Sequence, residues 1–326
     1  MNLRYWLSRV AVLSLAIATC VVPADNARAQ AYPNRPVTFV VPYGPGSGND
    51  AIARVLASTI SDNWGSPVVV VNRAGATGAI GLEATAKSPP DGYTMVIGST
   101  SQIINQHLSK VRYDMLKDFV PTSLSGTLSY SVSVLSTFPA KTLKELVAVA
   151  KARPGKLNGT GTIGSMAHFQ LEMLKAAGNV DIVMVPNKNP ADNQADVLSG
   201  RVEIYFSPLN SVLPHAKTGK MRVLAVSGDK RAPDLSEVPT MAEAGFPSVD
   251  AVAVYYILVP AGTPKPVIGV LNREMVKAMA GREVRERLAA LGVDPRSSTP
   301  EEASSTLKAE VERWSKIVKE SGIRLD

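Results

Sequence analysis

The chain has 326 residues, 45% hydrophobic and 19% charged, with a formal net charge of +7. This composition describes a globular protein large enough for two domains and excludes a disordered or low-complexity chain. So mild a positive balance suits an anionic ligand, and no basic run interleaved with aromatics argues for nucleic acid.

The N-terminus reads as a targeting segment. Arg4 and Arg9 form a basic start, Ala11 to Val22 an apolar run, and Ala27-Arg28-Ala29 an A-x-A cleavage signal. Residues 1–29 are therefore expected to be a secretory signal peptide, with the mature chain starting near Gln30 or Ala31. The apolar run is too short to span a bilayer. Cys20, the only cysteine, lies inside it, so the mature chain is expected to form neither a disulfide nor a thiolate metal site. Acylation of Cys20 is the alternative, but a good cleavage site follows it.

In the mature chain, Val37, Phe39, Val40 and Val41 predict a buried strand, and Ile52, Val55, Leu56 and Ile60 recur at helical spacing. Between them lies the glycine loop Tyr43-Gly44-Pro45-Gly46-Ser47-Gly48-Asn49. A strand, glycine loop and helix leave the unpaired N–H groups of the first helical turn, at the positive end of the helix dipole, facing whatever sits above the strand end. Ser47 or Asn49 can cap the helix, and the same residues also suit an ordinary capped βα turn.

A second strand is predicted over Pro67 to Val71, a short helix over Ala79 to Ala86, and a third strand over Tyr93 to Ile97 that runs out into Ser99-Thr100-Ser101. Strands alternating with helices predict a parallel sheet whose C-terminal loops gather at one crevice. The three hydroxyls either line that crevice or cap the next helix. The pattern restarts with a strand through Tyr130, Val132 and Val134, a helix through Leu143 and Ala150, and a strand from Lys156 to Thr160. A second glycine loop, Gly159 to Ser165, contains Thr160, Gly161 and Thr162 and leads into a helix bearing His168, with Ser165 as its expected cap. Further strands are expected at Ile182 to Val185, Val202 to Phe206, Arg222 to Val226 and Ala251 to Val259, and a helix near Ala191 to Leu198. Asn187 and Ser207 fall at strand ends on the crevice side. Three helices close the chain, the last capped by Thr299 with Pro300 and Glu302.

A P-loop is excluded because Asn49-Asp50 stands where Lys-Ser/Thr is required. Gly46-Ser47-Gly48-Asn49-Asp50-Ala51 formally fits a dinucleotide fingerprint, yet no group for hydride transfer accompanies it and the chain carries an export signal. No nucleophile elbow with a matching acid and histidine is present, and His107, His168 and His215 lack metal-ligand spacing.

Across the mature chain the sequence resembles the extracytoplasmic solute receptors of tripartite tricarboxylate transporters, the Bordetella-uptake-type binding proteins. The resemblance rests on Tyr32-Pro33-Asn34-Arg35-Pro36, Val41-Pro42-Tyr43, Asn72-Arg73-Ala74-Gly75-Ala76, Pro90-Asp91-Gly92-Tyr93-Thr94 and Lys117-Asp118-Phe119. It continues through Pro154-Gly155-Lys156-Leu157-Asn158, Leu224-Ala225-Val226, Val238-Pro239-Thr240 and Pro260-Ala261-Gly262-Thr263-Pro264. The resemblance implies an α/β, two-lobe periplasmic binding protein of the type II, Venus-flytrap kind. Lobe 1 is expected over residues 31–130 and 252–326, and lobe 2 over residues 131–251. It implies a small carboxylate ligand, membrane permease subunits as partners, a monomer, no cofactor and no catalysis. Carried over, the ligand-binding positions are Tyr43 to Asn49, Ser99 to Ser101, Thr160, Gly161, Thr162, Ser165, His168, Asn187 and Ser207. Ser207-Pro208 follow Phe206 where the family often has Asp-Asn, which argues against an amino-acid ligand. The other readings are an exported NADP-linked or hydrolytic enzyme, and a receptor serving a signalling sensor.

Overall fold

A computed structural model describes residues 32–187 and 190–323. The expected signal peptide, Cys20, Lys188 and Asn189 lie outside the described residues.

The strand VTFVV at Val37–Val41 (β1) forms where the sequence places it, buried at four of its five positions. Helix α1 follows at Gly48–Trp64, then β2 at Val68–Asn72, α2 at Ala79–Ala86, β3 at Thr94–Ser99 and α3 at Thr100–Leu108. β1 pairs in parallel with β2 on one edge and β3 on the other, so the loops after β1 and β3 leave the sheet at the same end. A long strand, β4 at Phe119–Leu135, precedes α4 at Leu143–Ala152, β5 at Leu157–Gly161, α5 at Met166–Gly178, β6 at Ile182–Pro186 and α6 at Pro190–Leu198. Then come β7 at Ile204–Pro208, α7 at Leu209–Lys217, β8 at Met221–Val226 and β9 at Val252–Pro260. Helices α8 (Lys265–Ala280), α9 (Arg282–Ala290) and α10 (Pro300–Ser321) complete the chain.

β4 belongs to both halves of the sheet. Its residues Phe119 to Ser129 run antiparallel to β9, which continues through β3 to β1 and β2. Its residues Tyr130 to Leu135 pair with β7 on one edge and with β8 on the other, and β7 continues in parallel to β5 and β6. The second half thus repeats the first, with a parallel set of strand–loop–helix units tied to one antiparallel strand. The first part of β4 escapes the sequence pattern because register shifts near Pro121 and Gly126 break the alternation on which a strand is recognised. α7 escapes it because Pro214 sits inside the helix.

The C-terminal helices cover more than the surface. α10 has the expected capping box, with Glu302 N–H donating to Thr299 Oγ1 at 3.1 Å and Thr299 N–H donating to Glu302 Oε2 at 2.9 Å. It buries Ala303, Leu307, Val311, Trp314 and Val318 along one face. Trp314 meets Phe169 of α5 edge-on, with ring centroids 5.6 Å apart and both side chains fully buried. This contact joins the last helix to the helix that begins at the second glycine loop. Trp314→Ala is expected to destabilise the fold by about 3–5 kcal/mol. A Phe169/Trp314 double-mutant cycle in urea should return a coupling of about 0.5–1.5 kcal/mol, whereas zero coupling would mean the rings act independently.

Candidate functional site

Both glycine loops end in a helix start of the same design. In the first, Ser47 caps α1 by accepting a hydrogen bond from Asp50 N–H at 3.2 Å. The Asp50 carboxylate then reaches back beyond the cap, and its Oδ2 accepts from Gly46 N–H at 2.9 Å. In the second, Ser165 caps α5 by accepting from His168 N–H at 3.4 Å, and His168 Nδ1 accepts from Gly164 N–H at 3.1 Å. In each loop the glycine that donates has a positive φ, +82° at Gly46 and +74° at Gly164, a conformation that favours glycine. The third helical side chain therefore pulls the glycine amide inward. The first two helical amides, Gly48 and Asn49 in one loop and Met166 and Ala167 in the other, have no hydrogen-bond partner among the described residues.

Asp50 is 3% exposed and does more than hold Gly46. Its Oδ2 also accepts from Arg54 Nε at 2.9 Å and its Oδ1 from Asn72 Nδ2 at 2.8 Å, while Asn72 Nδ2 reaches the Tyr43 carbonyl at 2.9 Å. The Arg54 guanidinium, with the Gly46 and Asn72 hydrogen bonds, holds the Asp50 carboxyl down at about 2 although burial opposes this. The charges of Asp50 and Arg54 thus neutralise each other within the loop's own framework.

Several expected site residues serve the framework. Thr100 is fully buried and its Oγ1 accepts from Val254 N–H at 2.9 Å, which ties α3 to β9. Ser99 gives both its N–H and its Oγ–H to Gln102 Oε1, at 2.7 and 2.9 Å. Gln102 Nε2 in turn donates to the Tyr43 hydroxyl at 2.8 Å, and Ser101 shares that hydroxyl. Thr160 is buried and pairs with Asn193, and Asn187 Nδ2 donates to Asp196 Oδ2 at 2.8 Å. Thr162 supplies the carbonyl that holds Ser165 N–H at 2.9 Å. Asn187 N–H bonds the Gly161 carbonyl at 3.1 Å, and Ser207, 1% exposed, lends its carbonyl to Ser131. Gly44 and the exposed Pro45 lie on the open side of the first loop.

Sequence reasoning passed over three tyrosines. Strand register sets Tyr255 of β9 opposite Ser99 at the end of β3, Tyr130 of β4 opposite Pro208 at the end of β7, and Tyr205 of β7 beside Thr160 of β5. The Tyr255 hydroxyl lies 3.9 Å from where a side chain on Gly48 would begin. Tyr130 feels Tyr255, Tyr43 and Tyr205 as electrostatic neighbours, so four phenols, two from each half, surround the junction. Burial pushes the Tyr255 hydroxyl up to about 12 and raises those of Tyr43, Tyr130 and Tyr205, keeping all four protonated as donors. Their only sequence signal is position, since each stands where a strand reaches the junction.

Asn49, 7% exposed, has a buried side-chain Nδ2 without a hydrogen-bond partner among the described residues. The arrangement is a set of neutral donors: two pairs of helix-start amides, a buried amide and protonated phenols. Such a set stabilises an anion without a cationic side chain.

Residues 52–323 match the family described as tripartite tricarboxylate transporter family receptor. The chain belongs to this family. Its curated relatives include Protein BugT of Bordetella pertussis, 37% identical over 97% of this chain and 98% of that protein. Similar solved structures include an R. palustris protein with adipate, 32% identical with a TM-score of 0.77, covering 90% of this chain and 99% of that one. Another is MatC from Rhodopseudomonas palustris with bound malate, 28% identical with a TM-score of 0.72, covering 88% of this chain and all of the other. The fold is therefore the α/β, two-lobe fold of periplasmic binding proteins, and the family is one of solute-binding receptors, not of enzymes.

Replacing Asp50 removes the charge that organises the first loop. Asp50→Asn is expected to cost about 1–3 kcal/mol at neutral pH, because one acceptor oxygen becomes a donor facing other donors. The stability that Asp50 contributes is fully present above its ordinary value of 3.8 and lost as pH falls toward about 2. Acid unfolding of the variant, followed by circular dichroism, should accordingly be less steep between those two values than that of the wild type.

Proposed function

We propose that this receptor captures a small organic carboxylate between its two glycine loops and delivers it to the permease subunits of a tripartite tricarboxylate-type transporter. The observation that carries this reading is the matched pair of open helix starts, Gly48 and Asn49 on one half and Met166 and Ala167 on the other. A carboxylate has two oxygens and several lone pairs, and N–H donors at a helix start bind it with charge-assisted hydrogen bonds. The unpartnered Asn49 amide and the four phenols add donors of the same sign. Adipate and malate in two similar structures belong to the same ligand class. Ser207, where the family often has an acidic residue that can meet a ligand amine, disfavours an amino-acid ligand.

In this reading lobe 1 is about residues 31–130 with 252–326 and lobe 2 about residues 131–251, a division supported by the change of β4's partners between Ser129 and Ser131. The mature monomer works in the periplasm, after loss of residues 1–29, without cofactor or nucleic acid. The carboxylate favours the closed state because only there do both loops reach it.

A thermal-shift screen of the mature protein against mono- and dicarboxylates, aromatic acids, amino acids and NADPH tests the reading. A carboxylate at a hundred times its Kd should add about 2.7 kcal/mol to the folded state. Stabilisation by NADPH alone, or turnover of a bound acid, would overturn the receptor assignment. Gly48→Val is the matching variant, because Gly48 has ordinary φ and its nearest non-local neighbour is the Tyr255 hydroxyl at 3.9 Å. Its side chain should displace the ligand from two charge-assisted hydrogen bonds of about 1.5–3 kcal/mol each, weakening binding roughly hundredfold or more with little change in Tm. Undiminished affinity would remove the first loop from the site.

A further inference from the structure

We infer that His168 is the positioning residue of the second ligand loop, and that acid loosens this loop by taking His168 Nδ1 away from the Gly164 N–H. The inference rests on the carboxylate-receptor reading and concerns how the same site is held and released.

The two loops are braced by the same geometry with different chemistry. In each, the side chain at the third helical position accepts a hydrogen bond from the glycine ahead of the cap, at 2.9 Å for Asp50 and 3.1 Å for His168. Asp50 accepts as a carboxylate. His168 can accept at Nδ1 only while neutral, with its proton on Nε2. Protonation turns Nδ1 into a donor facing a donor, and places a cation at the positive end of α5.

The surroundings do not compensate that charge. On α5 itself Glu172 and Lys175 neutralise each other at 2.9 Å. β5 and β6, packed against α5, carry no titratable side chain, and β7 carries only Tyr205. α10 brings Glu310 and Arg313, which pair with each other at 3.3 Å, and Glu320, which borders the same cavity as Glu172 and Lys175. His168 is itself 9% exposed, and burial first of all pushes its pKa below the ordinary 6.5. The brace is therefore complete above 6.5 and lost as pH falls through the lowered value.

The sign of the pH effect separates this role from direct contact with the ligand. A histidine touching the carboxylate would bind it more tightly when protonated, whereas a brace loses hold of it. Isothermal titration of adipate and of malate at about pH 8 and pH 5 should show affinity falling as pH drops, by up to roughly tenfold for each unit below the imidazole's pKa. His168→Asp, which copies the brace of the first loop, should cut the change between those two pH values to what protonation of the ligand's own carboxyls imposes. His168→Asn, with an acceptor that does not titrate in this range, serves if the aspartate variant folds poorly. Affinity that rises in acid, or falls equally in wild type and both variants, would overturn the inference. Ligand-free NMR decides the brace on its own: the Gly164 amide should shift with the His168 ring titration in wild type and stay fixed in either variant. A Gly164 amide that ignores the titration would refute it. If neither acid binds at either pH, the carboxylate reading fails for those acids while the NMR result still stands.

Discussion

Everything about this receptor's site depends on one local interaction, a side chain one turn into a helix that accepts the N–H of the glycine before the cap. By drawing the amides of Gly46 and Gly164 inward, Asp50 and His168 fix which donors remain. Those are the amides of the first two helical residues, which a helix cannot satisfy from within. Glycine is required ahead of each cap because the backbone there has positive φ, and a small side chain at the cap lets the turn close. The remaining donors are neutral, so an anion bound there, as proposed, would be held by hydrogen bonds rather than by a charged side chain.

The larger architecture brings both halves of the sheet together on one strand. β4 carries one half of the sheet on its first segment and the other half on its second, and β9 begins beside the crossing. Parallel strands in each half direct their C-terminal loops to that junction, as open α/β sheets do. Strand register gathers Tyr130 of β4, Tyr205 of β7 and Tyr255 of β9 near that junction, with phenols that burial keeps protonated. Away from the junction, the edge-on pair of Phe169 and Trp314 connects the last helix to α5, so the second loop is anchored at its helix as well as at its cap.

Much of this was legible in the sequence because it is local. Strand, glycine loop and helix are written into consecutive residues around Val37 to Ile60 and again around Leu157 to Leu174, and Ser47, Ser165 and Thr299 announce their helices as caps. What stayed hidden is what depends on distant partners. The first half of β4 is a strand only because β9 lies beside it and absorbs its bulges. Tyr130, Tyr205 and Tyr255 are far apart in sequence and meet only through sheet register. Thr100, read as a crevice hydroxyl, is consumed by Val254 of β9, a pairing that no local pattern encodes. Asp50 was visible as part of the glycine-loop motif but not as its brace, since its bonds to Gly46, Arg54 and Asn72 are not written in any local pattern.

The proposed function requires a single carboxylate ligand to be gripped by both helix starts at once. A crystal structure of the mature protein with a bound dicarboxylate measures this directly. Ligand oxygens should lie within about 3 Å of the Gly48 or Asn49 nitrogen on one side and of the Met166 or Ala167 nitrogen on the other, with the two lobes closed around them. A ligand held by one loop alone, with the other helix start still facing water, would contradict it.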